Sequence, residues 1–271
     1  MDPRRLSLNQ ITVNSWSLEQ AVAGCERHDI GAIALWRDKI AAAGLPRAAR
    51  LVRDAGLHVS SVCRGGMFTD PAADPAGVLD DNRRAVEEAA ELGADTLVLV
   101  CGALHDTDLP GARARVRDGI AALLPHAAAA GVRLGIEPLH PMMIGVRSVV
   151  VSLAQALDLV EELEPAHPGH LGVVVDAYHV WWDPALEQQL HRATGKVLGY
   201  HVSDWLAGTS DLLTDRGVMG DGLMDLPRLS RQVAGTGYDG PVEVEVLSTR
   251  WWGEDPDDVL RLVRKRFEEC V

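Results

Sequence analysis

The sequence predicts an α/β protein of the (β/α)8 class, a TIM barrel formed as a single domain over residues 1–271. Short apolar runs alternate with longer amphipathic stretches along the whole chain. Eight such strand-then-helix units within 271 residues match the length and order of this barrel. Four of the apolar runs also stop at an acid or a histidine, as strands do when they deliver side chains to a site at the barrel mouth.

The strands are expected at 7–13, 30–36, 57–63, 95–101, 132–138, 171–176, 197–203 and 241–247. Residues 41–55 and 81–92 read as helices, and in the second Val86, Ala89, Ala90 and Leu92 fall on one stripe. Asp183-Pro184 should open a helix, since Asp caps free amides and Pro fits the first turn. Gly56, Gly93 and Gly131 each follow a helical run and precede a strand, where a helix-ending glycine belongs. The segment Asp70-Pro71-Ala72-Ala73-Asp74-Pro75 reads as a loop over the barrel mouth. A doubly wound open sheet is the alternative. It would carry a glycine-rich turn after its first strand, and Asn9-Gln10-Ile11-Thr12 is not one.

Hydrophobic residues make up 47% of the chain, enough to bury a large core. The net charge of -13 argues against a nucleic-acid or anionic-membrane partner, because both need a basic surface. No apolar run is long enough to span a bilayer, and no N-terminal signal-peptide pattern is present, so a cytoplasmic protein is expected. The cysteines Cys25, Cys63, Cys101 and Cys270 form no CxxC pair. A disulfide framework or thiolate zinc site is not expected, and Cys63 and Cys101 read as buried, inert thiols.

The runs 134–137, 173–176, 198–201 and 242–245 end on Glu137, Asp176, His201 and Glu245. A charged group at the end of a buried strand is strongly destabilising unless it is paired or bound to a metal. By count these residues close strands five to eight, whose ends converge in a barrel. Three carboxylates and an imidazole suit one divalent cation, Mn²⁺ or Mg²⁺ first, with Co²⁺ or Zn²⁺ also compatible. Glu243 competes with Glu245, because strand alternation puts both on one face. Glu245 lies nearer the strand end and is preferred. Glu243 would then sit deeper, paired with a base such as Arg133 or Lys196.

The segments Gly135-Ile136-Glu137-Pro138, Val175-Asp176-Ala177-Tyr178-His179, His201-Val202-Ser203-Asp204, Arg216-Gly217-Val218-Met219-Gly220-Asp221-Gly222 and Gly237-Tyr238-Asp239-Gly240 with Glu245 occur in that order. Together they resemble the blocks of the sugar phosphate isomerase/epimerase superfamily, the xylose isomerase-like TIM barrels. That superfamily includes ketose 3-epimerases, inosose dehydratases, hydroxypyruvate isomerases and endonuclease IV. The resemblance covers essentially the whole chain and implies a metal held by Glu137, Asp176, His201 and Glu245. It further implies that Glu137 and Glu245 exchange protons with a polyhydroxy carbonyl substrate, and that His179 contacts that substrate. It allows a homodimer or homotetramer. Endonuclease IV-like relatives carry extra histidines for three zinc ions. Cys63, Cys101 and Gly217 stand at the corresponding places, so a single-metal site is expected and DNA repair is not.

Arg216 lies in a glycine-rich loop, where its planar fork suits a sugar hydroxyl or a carboxylate, a surface salt bridge being the alternative. His140 follows Glu137 closely and is a further candidate to line the mouth. Seven tryptophans stand against two phenylalanines. Most follow strands, and Trp36 and Trp181 are taken as substrate-stacking candidates beside packing and subunit-contact alternatives. No glycine-amide phosphate cradle with a nearby lysine is evident, so an unphosphorylated substrate is expected. An isomerase or epimerase is the first expectation. A lyase on the same metal scaffold is the second. A non-catalytic sugar-binding barrel is the third, and the intact acid pair disfavours it.

Overall fold

A computed structural model describes residues 1–271, and its strands close into one parallel barrel in the order β1 to β8. The strands are β1 (Leu6–Asn9), β2 (Ala32–Trp36), β3 (His58–Gly66), β4 (Thr96–Val100), β5 (Arg133–Ile136), β6 (Leu171–Asp176), β7 (Val197–Val202) and β8 (Val242–Val244). Helix α1 (Leu18–Arg27) follows β1, α2 (Arg37–Ala43) and α3 (Leu45–Asp54) follow β2, and α4 (Pro75–Leu92) follows β3. Helix α5 (Leu109–Ala129) follows β4, α6 (Leu153–Leu163) follows β5, and α7 (Ala177–Val180) and α8 (Leu186–Arg192) follow β6. Helix α9 (Leu226–Ala234) follows β7, and α10 (Thr249–Trp252) and α11 (Pro256–Cys270) follow β8. Every strand of the sequence reading is present.

Helix starts follow a repeated chemical rule. Asp74, Asp108, Asp225 and Asp255 each accept amide hydrogen bonds at the first turn of α4, α5, α9 and α11, with Pro in that turn. Ser17 and Gln20 form a reciprocal capping box on α1. Gly93 ends α4 in the left-handed region at φ 63°, and Gly56 and Gly131 hold similar angles after α3 and α5. The outer faces of the strands and the inner faces of the helices make one continuous core, from Leu8 and Ile33 round to Val244 and Phe267.

Several boundaries differ from expectation. The helix expected at 41–55 is two helices, because Gly44 sits at φ 84° between them and Pro46 restarts the chain. The 81–92 helix starts earlier, at Pro75, where Asp74 supplies the cap. Asp183 does not cap α8 directly. Its side chain holds the Ala185 amide in a turn, and the helix begins at Leu186. The 70–75 segment lies against the barrel's flank, beside Arg115 and Asp118 of α5.

β1 stops at Asn9, whose side chain accepts from the Ile11 amide and turns the chain into a 3-10 helix over Gln10–Val13. β8 stops at Val244, where Thr12 Oγ1 donates to the Val244 carbonyl at 2.9 Å and accepts from the Val246 amide at 2.9 Å. β3 runs past 63 to Gly66 with a register shift between Cys63 and Gly65, so Arg64 is a bulged residue without a ladder partner on β4. The Asn82 side chain of α4 grips Gly66 from both sides, accepting from its amide at 2.6 Å and donating to its carbonyl at 2.9 Å.

Gly66 combines a φ of 104° with a site where an added Cβ would collide with the Val100 carbonyl. Gly66→Ala is therefore expected to destabilise the barrel by about 3 kcal/mol or more, as backbone strain and overpacking act together. Urea unfolding followed by circular dichroism reads this directly, and an unchanged midpoint would contradict it.

Candidate metal centre

Parallel register brings Asp176 of β6 opposite His201 of β7, and His201 opposite Glu243 of β8. Glu137 follows β5, and Glu245 lies just past β8, one side-chain layer nearer the mouth than Glu243. The ligand atoms of Glu137, Asp176, His201 and Glu245 all lie within 4.8 Å of one another, and all four residues are buried. Residues separated by more than a hundred positions in sequence thus share one small volume.

The hydrogen bonding inside this volume is incomplete. His201 Nδ1 is 3.1 Å from Glu137 Oε1 and 3.9 Å from Glu245 Oε2, while His201 Nε2 is 3.1 Å from Glu243 Oε2. None of these contacts is aligned as a hydrogen bond, and Glu137 Oε1 and both His201 ring nitrogens have no partner. Buried polar atoms are normally paired. Three oxygen donors and one nitrogen donor, with unpartnered atoms among them, fit a divalent cation.

Arg216 offsets part of the negative charge. Its Nη1 donates to Asp176 Oδ2 at 2.9 Å and to Glu245 Oε2 at 3.1 Å, and its guanidinium carbon lies 4.3 Å from the centre of the Tyr178 ring. Nη2 lies 3.1 Å from His179 Nε2, and His179 Nδ1 accepts from the His140 amide at 3.1 Å. Burial, then the Arg216 charge, hold His179 well below the usual imidazole range, so it is a neutral acceptor here.

Burial raises the carboxyls of Asp176 and Glu245 despite Arg216. Burial alone would lower His201, but Glu243, Glu137 and Glu245 together hold it well above the imidazole range. Burial lowers Arg216 less than Asp176 and Glu245 raise it, so it stays fully charged.

Glu243 does not pair with Arg133 or Lys196. Arg133 Nε donates to the Asp95 carbonyl, and Lys196 pairs with Glu161. Glu243 accepts instead from Asn9 Nδ2 at 3.2 Å and from Ser60 Oγ at 2.8 Å, and Asn9 also donates to Glu245 Oε1 at 3.2 Å. A polar layer inside the barrel does what a buried base was expected to do. The sequence hid it because Asn9 and Ser60 lie on distant strands.

Above the acids is a narrow hollow, open to solvent, whose lining includes Trp36, His179, Arg216, Glu137 and Glu245. The Trp36 indole donates to Asn9 Oδ1 at 2.8 Å, so its ring face is what remains for a ligand. Arg216 lines the hollow but is no surface salt bridge, being buried among acids. His140 and Trp181 do not line it. His140 packs on Trp205 at 4.9 Å and Trp182 at 5.5 Å between ring centres, and Trp181 faces a separate outer cleft. Other tryptophans anchor packing: the Trp252 indole donates to the Ile11 carbonyl, and the Arg27 guanidinium lies 5.3 Å from the Trp16 ring centre.

Cys63 also lines the hollow. Burial and then the nearby acids push its thiol well above its ordinary value, and burial pushes Cys101 up to about 12, so both stay protonated. Two charged lining residues escaped the sequence reading, Arg64 and Arg147. Arg64 could have been found, because a charge directly after the apolar run of β3 is the same signal that marked the acids. Arg147 lies in an irregular loop with no such mark.

A family model described as xylose isomerase-like TIM barrel matches residues 22–269. The crystal structure of a Sinorhizobium meliloti 1021 protein superposes with a TM-score of 0.96 at 47% identity, covering 99% of each chain. The IOLI protein with a bound zinc atom superposes at 0.85 with 18% identity, over 97% of this chain and 96% of that one. A D-psicose 3-epimerase crystallised in the presence of D-fructose superposes at 0.78 with 16% identity, over 97% of each chain. At these lower identities the likeness is one of fold. A 3-dehydroshikimate dehydratase of Pseudomonas putida is 28% identical over 185 residues, 63% of this chain, and the chain spans only 26% of that relative's length. With the match running over nearly its entire length, the chain belongs to the xylose isomerase-like TIM barrel family.

Proposed function

We infer that this protein is a divalent-metal-dependent isomerase or epimerase of a small polyhydroxy ketone or aldehyde. One observation carries the reading: four buried residues from consecutive strands bring ligand atoms within 4.8 Å of one another, and two of them, Glu137 and Glu245, line the hollow. Glu137, Asp176, His201 and Glu245 would hold the cation. Mn²⁺ or Mg²⁺ suits the oxygen-rich set best, and Co²⁺ or Zn²⁺ is compatible with it. When bound, such a cation polarises a carbonyl and acidifies the neighbouring C–H.

The rest of the chemistry falls to the chain. Glu137 and Glu245 both face the hollow and serve as the proton-exchanging pair. Burial lifts Glu245 toward the range in which a carboxylate both takes and returns a proton. Arg216 and Asn9 each hold one oxygen of Glu245 and fix its approach. Glu137 Oε1 has no hydrogen-bond partner and is free to receive a proton. Return of the proton to the same carbon from the opposite side gives an epimer. Return to the adjacent carbon interconverts aldose and ketose.

A lyase is the second reading, and the dehydratase relative favours it. It uses the same proton abstraction, with a hydroxyl leaving from the carbon next to the carbanion.

The purified protein is expected to carry about one equivalent of a divalent cation by elemental mass spectrometry, and Asp176→Asn to lose most of it, because one ligand of four is removed. Absence of any such cation, and of a thermal shift on adding one, would leave the cluster without a metal role. Bound cation requires unprotonated ligands, whereas Asp176, Glu245 and His201 are all held above their ordinary values in the metal-free chain. Binding therefore expels protons, and the rise in Tm caused by manganese should be larger at about pH 8 than at about pH 6. Equal rises at both would contradict this coupling.

Glu245→Gln should cut solvent deuterium incorporation into a turned-over keto sugar by about 10²–10⁴-fold, the usual worth of a positioned acid or base. Circular dichroism should show the fold intact. Undiminished exchange removes Glu245 from the proton transfer.

A further inference from the structure

Arg64 and Arg147 line the hollow together with the two acids of the proposed proton pair. Neither arginine has a carboxylate within 4.0 Å, and neither side chain donates a hydrogen bond to the protein, although both are half-buried. Arg147 Nε is fully buried without a partner. Contrast Arg37 on the same side of the barrel, which is held by both Asp81 and Glu88.

The two cations also act on each other. Burial, then the neighbouring Arg147 charge, push the Arg64 guanidinium below its ordinary value. Two unpaired, partly desolvated like charges are destabilising unless something else requires them. The backbone places Arg64 deliberately, since it is the extra residue of the β3 bulge, a device that re-aims a side chain beside an active site.

We propose that Arg64 and Arg147 form an anion subsite that receives the carboxylate of a small polyhydroxy keto acid. This rests on the metal-dependent proton-transfer reading and narrows its substrate class. Guanidiniums present paired N–H donors that match the two oxygens of a carboxylate. The charge count favours one negative charge. With a divalent cation in the cluster, Arg64, Arg147 and Arg216 exceed Glu137, Asp176, Glu243 and Glu245 by a single positive charge. A monocarboxylate closes that difference and a phosphate dianion overshoots it. The backbone amides beside Arg64 are also engaged. Gly66 donates to Asn82, Met67 to Val100 and Phe68 to Cys101, so no amide cradle is left there for a phosphate group.

Isothermal titration of the manganese-loaded protein tests this with D-gluconate, D-glucitol and inorganic phosphate. Gluconate and glucitol share a polyol frame and differ in the carboxylate. Gluconate should bind at least about tenfold more tightly, a difference of about 1.4 kcal/mol. Arg147→Gln and Arg64→Gln should each erase that advantage while manganese content stays unchanged. Should Arg64→Gln fail to fold, Arg147→Gln decides the matter alone. Lack of a gluconate advantage overturns the proposal, as does its survival in Arg147→Gln. Tighter binding of inorganic phosphate than of gluconate, lost in the same variants, reassigns the subsite to a phosphate ester and overturns the carboxylate. Manganese content in the same samples separates the two levels. Retained manganese without a gluconate advantage sinks the anion subsite only, whereas failure to retain manganese sinks the metal reading beneath it.

Discussion

The repulsion among Glu137, Asp176, Glu243 and Glu245, gathered at the ends of β5 to β8, is the constraint around which the rest of the structure is arranged. Arg216 answers it by bridging Asp176 and Glu245, and His201 by lying against Glu137 and Glu243. Asn9, on the neighbouring β1, and Ser60, on β3, add hydrogen bonds to Glu243. What these groups leave unanswered is a set of atoms without partners, Glu137 Oε1 among them. A site that is over-supplied with negative charge and under-supplied with donors is poised for a cation.

Arg216 is held in place by a loop that is itself tightly pinned. The Asp204 carboxylate, just past β7, accepts from the amides of Trp205, Gly220, Gly222 and Met224, and its own amide and carbonyl pair with Gly217. Tyr178 stacks on Trp205 at 4.7 Å and presents its face to the guanidinium. The aromatic residues after the strands thus build a wall that fixes Arg216, His179 and His140. Trp36, not that wall, is the tryptophan that lines the hollow.

The barrel was legible in the sequence because period and length act locally. Each apolar run of β2, β4, β6 and β7 is bounded by helix caps and glycines that declare themselves. The strand ends at Glu137, Asp176, His201 and Glu245 were legible for a related reason, since a charge closing an apolar run stands out. What stayed hidden depends on partners far along the chain. Glu243 looked in need of a base, yet its partners are Asn9 and Ser60, two neutral residues on strands at the other end of the sequence. β1 and β8 came out shorter than their apolar runs because the Thr12 hydroxyl replaces a strand partner, an exchange that no pattern announces. His140 and Trp181 were placed by proximity in sequence to strand ends, but their side chains pack on other aromatics.

The seam between β1 and β8 has a consequence for the order of events in the cell. Asn9 stands on the first strand and Glu243 and Glu245 on or just beyond the last, and they meet only when the cylinder closes. During synthesis, Glu137, Asp176 and His201 emerge well before Glu245. A half-made chain therefore offers an incomplete set of donors. Occupation of such a centre by a cation would favour the finished barrel over its open precursors.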